Sequence, residues 1–298
     1  MNARHRTFSW HGWIGIAWLI GCETLLSFGN RFVATWFTPL MWTGYILTID
    51  ALVARRRGAS WLTSRRREVP LLLLLSVGVW LLFEAYNFHL KNWYYVHVPV
   101  DAWVRAIAFF WSFATIMPGV FETADLVRTF LPAHHPRPPL APRAHNLAVS
   151  FVIGVAMVTV PLAIPKATAA YLFGSVWIGF ILLLEPVLEL IGIGGSMRDW
   201  RQGVWQTAAA LLLGGFFCGL LWEAWNYQAF QHDGAFWVYT VPEALRVFGI
   251  HYGKMPALGL LGFPPFAIEL HAFYQALKAL LGGGSVFGGP RTGQLTTS

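Results

Sequence analysis

Residues 81–88 read LLFEAYNF and residues 220–227 read LLWEAWNY. Each places one glutamate and one asparagine in a stretch otherwise made of leucine, alanine and aromatic rings, and the two glutamates are 139 positions apart. Both stretches close apolar runs, 70–90 and 204–228, that reach the roughly 20 residues a helix needs to cross a bilayer. Comparable runs occur at 10–28, 34–54, 101–131, 147–165, 171–193 and 255–281. Eight such runs predict an all-α, polytopic membrane helical bundle.

Composition agrees. The 298 residues are 56% hydrophobic and 12% charged, against about 25% charged in a soluble domain. The net charge of +7 does not indicate nucleic acid, because no basic stripe alternates with exposed aromatics. Six arginines, Arg55–Arg57 and Arg65–Arg67, instead share one short loop between apolar runs, as cytoplasmic loops do. With the N-terminus inside, alternation of the segments puts fifteen of the 21 basic residues on the cytoplasmic side. Arg4, Arg6, Arg128, Arg137, Arg143, Arg198, Arg201, Lys278 and Arg291 join the six. The expected location is the cell (inner) membrane, multi-pass, with both termini cytoplasmic. The first run, with Glu23 inside it and no small-residue cleavage site, reads as a retained helix rather than a signal peptide. Cys22 and Cys218 lie singly within apolar runs, so no disulfide framework is indicated.

The chain divides at LPAHHPRPPLAPRAH (131–145), a proline- and arginine-rich connector. WTGYILTIDAL (42–52) on one side matches WIGFILLLEPV (177–187) on the other, setting Asp50 opposite Glu185. The opening pair sets Glu84 opposite Glu223 and Asn87 opposite Asn226. Tyr94, Tyr95 and Pro99 recur loosely as Trp237, Tyr239 and Pro242. PGVFE (118–122) matches PFAIE (265–269), setting Glu122 opposite Glu269. An even number of helices per half predicts two parallel four-helix repeats about an axis along the membrane normal. The expected parts are 1–131, a first repeat; 132–146, a cytoplasmic linker; 147–281, a second repeat; and 282–298, a flexible tail. Pro118 predicts a kink in the fourth run, and Pro264 with Pro265 one in the eighth.

A carboxylate inside a membrane costs about 2.5–3.5 kcal/mol even on the lenient insertion scale, so six of them demand a reason. One is structural: Glu and Asn hydrogen-bond helices together, at about 0.6–2 kcal/mol each. The other is chemical: a carboxyl in apolar surroundings becomes a neutral acid able to donate a proton. Glu84, Asn87 and Phe88 share one helical stripe, as do Glu223, Asn226 and Tyr227, so each asparagine is placed to orient its glutamate. Trp222, Trp225, Tyr227, Phe83 and Tyr86 are the nearest rings, and their π-faces would stabilise a cation formed by protonating an alkene or epoxide. For any one ring, lipid-facing surface is the plainer explanation. Histidines lack HxxxH or ExxH spacing, so neither a metal site nor any other cofactor is expected.

The paired acids, Trp222-Glu223 and the abundance of rings resemble the small integral-membrane terpene cyclases, among them the fungal meroterpenoid cyclases and the split lycopene cyclases. That resemblance covers about a third of the chain by motif, and the eight-helix count departs from it. It implies an isoprenoid substrate and protonation by membrane carboxylates. GFPPFAIE (262–269) also looks like a segment common in uncharacterised bacterial membrane proteins, which implies no activity.

The expectation is therefore an integral membrane enzyme acting on a lipid or isoprenoid by carboxylic-acid catalysis, of cyclase or isomerase type. Its expected partners are membrane lipids and an apolar small-molecule substrate, with no nucleic acid. Glu223 and Glu84 are the first candidate acids, with Glu269, Glu122, Glu185 and Asp50 completing a polar interior. The alternatives are a proton-coupled transporter and a non-catalytic scaffold. An enzyme predicts an apolar ring-lined cavity, a transporter a polar path, and a scaffold capped carboxylates without a cavity.

Overall fold

All eight apolar runs fold as helices in the computed structural model, which describes residues 7–132 and 144–282. They are α1 (Trp10–Ser27), α2 (Phe37–Arg57), α3 (Val69–Leu90), α4 (Ala102–Arg128), α5 (Ala144–Ala163), α6 (Phe173–Leu190), α7 (Gln206–Gln231) and α8 (Ala257–Leu280). Arg4, Arg6, Arg137, Arg143, Arg291, most of the 132–146 linker and the tail from 283 lie outside the described residues. Six helices, α2 to α7, are long and apolar enough to cross a membrane. By the same measure α1 and α8 fall short. For α8 the reason is visible: Glu269, His271, Gln275 and Lys278 lower its hydropathy, and all four are buried within the protein.

Glycine sets how closely the helices approach. α1 crosses α2 where a Cβ on Gly15 would meet the Gly44 carbonyl at 2.6 Å. α5 crosses α6 where one on Gly154 would meet the Leu183 backbone at 2.5 Å. α7 lies between α4 and α8. A Cβ on Gly214 would fall 2.9 Å from the Ala124 backbone of α4, and one on Gly215 2.5 Å from the Phe263 carbonyl of α8. Small residues at such crossings bring backbones together where no hydrophobic force acts between helices in lipid.

α4 breaks at Thr115, three residues before Pro118, into Ala102–Ala114 and Ile116–Arg128. The Ser76 hydroxyl of α3 enters the gap. It donates to the Phe113 carbonyl at 2.5 Å and accepts from Met117 N–H at 3.0 Å. These two groups would pair with each other in an unbroken helix, so the hydroxyl bridges the ladder it interrupts. The second expected kink is absent as a break: α8 continues through Pro264 and Pro265.

Two short strands close one end of the bundle, called here the hairpin end. β1 (Trp93–Val96) follows α3 and β2 (Phe236–Tyr239) follows α7; they pair antiparallel, Trp93 with Tyr239 and Tyr95 with Trp237. A smaller hairpin, β3 (His251–Tyr252) with β4 (Met255–Pro256), leads into α8. The opposite, arginine end carries Arg55–Arg57 and the ion pairs Arg57–Asp125, Arg201–Glu189 and Lys278–Glu68.

Candidate functional site: a ring-lined cavity under the strand pair

The asparagines of the two matching elements do the same work. Asn87 Oδ1 accepts from the N–H groups of Asn92 and Trp93, and its amide donates to the Trp93 carbonyl at 2.9 Å. Asn226 Oδ1 accepts from Trp237 N–H at 2.9 Å, and its amide donates to the Trp237 carbonyl at 3.1 Å. Each asparagine thus clamps the first or second residue of its strand to the helix that precedes it. The structural equivalent of Trp237 is Trp93, not the neighbouring Tyr94 that the sequence alignment suggested.

The glutamates hold the same strands from deeper positions. Glu84 Oε1 accepts from Trp80 Nε1, Trp93 Nε1 and the Tyr95 hydroxyl, at 2.9, 3.0 and 2.5 Å. Glu223 Oε1 accepts from Lys254 N–H at 2.5 Å, while Oε2 accepts from the Asn226 amide at 3.1 Å and the Tyr239 hydroxyl at 3.2 Å. An indole or peptide N–H only donates, so Glu84 Oε1 and Glu223 Oε1 act as acceptors. The Asn226 amide thus reaches its glutamate as well as its strand. Asn87 spends its amide on the strand instead, and the Glu84 contacts are with rings.

Between these elements lies a cavity of about 360 Å³, within the range typical of small-molecule sites. Its wall is rich in rings: Trp42, Trp80, Trp93, Trp177, Trp222 and Trp237 from both halves of the chain, with Tyr95, Tyr239 and several phenylalanines. The indoles form a continuous surface, Trp93 to Trp80 at 5.8 Å, Trp80 to Trp222 at 5.5 Å and Trp222 to Trp237 at 5.6 Å between ring centres. Among the described residues, no side chain in the wall is an acid, a histidine, a lysine or an arginine. Burial, then the charge of the glutamate behind it, raises each of the Tyr95 and Tyr239 phenols well above the ordinary range, so both stay protonated at neutral pH.

Of the five rings expected to meet a substrate, Trp222 alone is in this wall. Phe83 is fully buried among Phe173, Phe180, Phe266 and Phe273. Tyr86 donates to the Val158 carbonyl at 2.8 Å, and Trp225 packs on Trp42 and Tyr45. Tyr227 lies on the outside of α7, 38% exposed. The rings that do line the cavity are hard to pick out from sequence, because Trp93 and Tyr95 stand just past the end of an apolar run, where aromatic residues commonly anchor a helix at the membrane interface. The available signal was the alternation in WYYV and FWVY, each following an EA(Y/W)N element.

The remaining acids stand elsewhere. Asp50 accepts from the Ser60 hydroxyl and Leu62 N–H, and its Oδ2 lies 2.9 Å from His11 Nε2. Glu185 accepts from the Ser196 N–H and hydroxyl and from Met197 N–H. Both carboxylates therefore cap the short helices Trp61–Ser64 and Ser196–Arg201 at the arginine end. Glu122 and Glu269 are buried in α4 and α8 and do not reach the cavity; nothing among the described residues hydrogen-bonds to either oxygen of Glu269. Among the described residues no three His, Cys, Asp or Glu side chains group as metal ligands would.

Six apolar helices fit a multi-pass membrane protein, here with a neutral, ring-lined cavity near one end of its bundle. Comparison with protein-family models, with curated proteins and with solved structures found no match for the chain.

Proposed function

We propose that this chain is a multi-pass membrane protein that takes up a lipid or isoprenoid chain in the cavity under β1 and β2. The observation that carries the reading is the wall itself, rich in indoles, phenols and phenylalanines and, among the described residues, without a charged side chain. Such a wall gains by covering apolar matter and offers a free ion nothing. It also speaks against a proton-coupled polar path.

The same proposal holds that all eight helices span, in two parallel four-helix repeats (1–131 and 147–281) with the arginine end and both termini cytoplasmic. Supporting it are the paired clamps Asn87–Trp93 and Asn226–Trp237, the paired caps from Asp50 and Glu185, and the arginines gathered at one end. The strand register adds to this. Trp93 faces Tyr239 and Tyr95 faces Trp237, the arrangement that a twofold axis through the Tyr94–Val238 pair would generate. α8 hides its polar residues inside the bundle, so low hydropathy does not bar it from crossing.

The second reading is acid-catalysed conversion of the bound chain, of cyclase or isomerase type, as the resemblance to terpene cyclases implies. What favours it is that Tyr95 and Tyr239 belong to the wall and the hydroxyl of each donates to a glutamate, beside rings able to face a cation. What weighs against Glu84 and Glu223 as direct proton donors is that neither is itself in the wall.

Gly174 tests uptake. It lines the cavity, is itself exposed, and a Cβ there meets nothing within 4 Å, so Gly174→Phe has room for its ring at the cavity wall and is expected to obstruct it. Protein purified in lipid nanodiscs should carry an apolar species detectable by mass spectrometry, and the variant should lose it. Equal complements in both proteins would refute uptake. A product that appears with the wild type and vanishes in Tyr95→Phe and Tyr239→Phe would establish the second reading.

A further inference from the structure

A second apolar surface lies toward the arginine end, apart from the cavity. α2 and α7 both pack on α4, and a groove between α4 and α7 stays open. Tyr45 of α2 and Leu221 of α7 mark its inner end; Leu213 of α7 and Phe130, just past α4, mark its outer end. From Leu213 to Leu221 it follows α7 for about 12 Å. Leu213, Phe217 and Phe130 are all exposed, so the wall can be reached from outside. Apart from Tyr45 and Thr123 every residue in it is apolar, and those two satisfy each other. Thr123 donates to the Gly119 carbonyl at 2.6 Å, so the Tyr45 hydroxyl, 2.8 Å away, donates to Thr123. The outer end meets a cation. The Arg56 guanidinium lies 3.8 Å from the centre of the Phe130 ring, with Nε donating to Thr129 Oγ1 at 2.6 Å and Nη2 to the Thr129 carbonyl at 3.3 Å. These contacts hold a long, exposed side chain at the rim, and none of them carries a negative charge. Arg57 is paired with Asp125 and Arg65 with Glu68. Among the described residues no carboxylate pairs with Arg56.

We propose that the groove and Arg56 form a site for one anionic phospholipid, its acyl chain along α7 and its phosphate on Arg56. The site rests on the reading that the bundle spans a bilayer and is independent of uptake in the cavity. Two observations meet in it. The groove offers an occupant only apolar wall, and it runs inward from the arginine end, the course an acyl chain takes beneath its headgroup. At the headgroup level stands a guanidinium already held in place, whose donors match phosphate oxygens. Because Arg56 keeps its full charge, an anionic headgroup is preferred over a zwitterionic one, in which choline offsets the phosphate.

The test titrates the full chain in dodecyl maltoside with palmitoyl-oleoyl phosphatidylglycerol and, separately, with phosphatidylcholine of the same chains. Native mass spectrometry counts the bound lipid. The expected result is that the first phosphatidylglycerol binds about fivefold tighter than phosphatidylcholine, the effect of one arginine near the surface. Arg56→Gln should abolish that preference and Arg56→Lys should retain most of it. Arg66→Gln removes an equal charge from an exposed position outside the groove and should leave the preference intact. Leu213→Trp, which crowds the groove, should weaken both lipids together. Equal affinity of the two lipids for the wild type overturns the proposal. Equal loss of preference in Arg56→Gln and Arg66→Gln overturns it too, since diffuse attraction to a basic surface would then suffice. Wild-type affinity in Leu213→Trp would place the lipid elsewhere and overturn the groove. Should Leu213→Trp not fold, the contrast between the two glutamine variants decides. Recovery of the protein without extraction from membranes would end the membrane reading itself, whereas no outcome of the lipid titration touches uptake in the cavity.

Discussion

Glu84 and Glu223 stand at the same place in two matching phrases, yet different donors hold them. Glu84 gathers three side-chain donors, two indoles and a phenol, on a single oxygen. Glu223 divides its donors over both oxygens, and one of them is the backbone of Lys254 between β3 and β4. The asparagine three residues on has not diverged: in both elements it spans the N–H and carbonyl of a strand tryptophan. Backbone groups present the same donor and acceptor whatever the side chain, so a clamp on them survives change around it. A contact with side chains is free to be rebuilt. In the first half the carboxylate fixes the cavity wall; in the second it also fastens the loop that leads into α8.

The largest expected effect is loss of a clamp. Asn226→Leu leaves Trp237 N–H, the Trp237 carbonyl and Glu223 Oε2 each short of a partner in a fully buried site. With about 1–3 kcal/mol for each unpaired group and partial relaxation, a loss of about 4 kcal/mol is expected. Asn87→Leu should cost about half of that, because Asn87 is nearer the surface at 8% exposure and water can replace part of what is lost. Thermal unfolding in detergent ranks the two variants. Equal losses would remove the difference between the elements.

The amide substitutions should separate the glutamates more sharply. A glutamine has one acceptor oxygen and one donor nitrogen. At Glu84 the oxygen can keep all three donors at Oε1, and the amide takes the other position, so Glu84→Gln should cost about 1 kcal/mol, the weakening that follows loss of charge. At Glu223 either orientation turns an NH2 toward a group that only donates, the Lys254 N–H or the Asn226 amide. Glu223→Gln should therefore cost about 2–3 kcal/mol and loosen the 251–256 hairpin. Hydrogen exchange at Lys254 and Met255 reads that loosening directly, and protection unchanged from wild type would contradict the two-oxygen account.

What the sequence disclosed follows the same division. Long apolar runs marked all eight helices within a few residues, because hydropathy over twenty positions needs no tertiary context. Acids inside such runs stood out as anomalies, which brought Glu84, Glu223, Asp50 and Glu185 to notice. Their duties are hidden, because two of the three donors to Glu84 come from residues nine and eleven positions on, and that to Glu223 Oε1 comes from 31 positions on. The strand pairing joins positions 140 to 146 apart, beyond any local pattern. The likeness of the α1–α2 crossing to the α5–α6 crossing is hidden for another reason. It rests on glycine contacts, Gly15 at Gly44 and Gly154 at Leu183, and a single glycine in an apolar run carries little information by itself.

The smallest expected effect lies at the arginine end, where the halves also differ. Glu68, just before α3, stands where Trp205 stands just before α7, and it reaches across to the last helix. Its carboxylate takes Arg65 at 2.8 and 3.1 Å, Lys278 of α8 at 2.5 Å and the Tyr274 hydroxyl at 3.3 Å. The hydrogen bonds from Arg65 are the main cause, with burial opposing and Lys278 assisting, that holds the carboxyl down at about 2 against an ordinary 4.5. A carboxyl depressed by folding stabilises the folded state fully above its ordinary value, and that contribution drains away as pH falls from 4.5 toward 2. Since the side chain is 32% exposed, solvent screening keeps the effect below about 1 kcal/mol. Thermal midpoints of wild type and Glu68→Gln should thus differ by a small constant amount between about pH 5 and pH 8, and converge in acid. Added salt should shrink the gap at neutral pH as well, because these charges are partly exposed. A gap that widened as pH fell would mean that Glu68 is protonated on folding, and the tie between the first half and α8 would then rest on the Tyr274 hydroxyl and the packing of α8 rather than on charge.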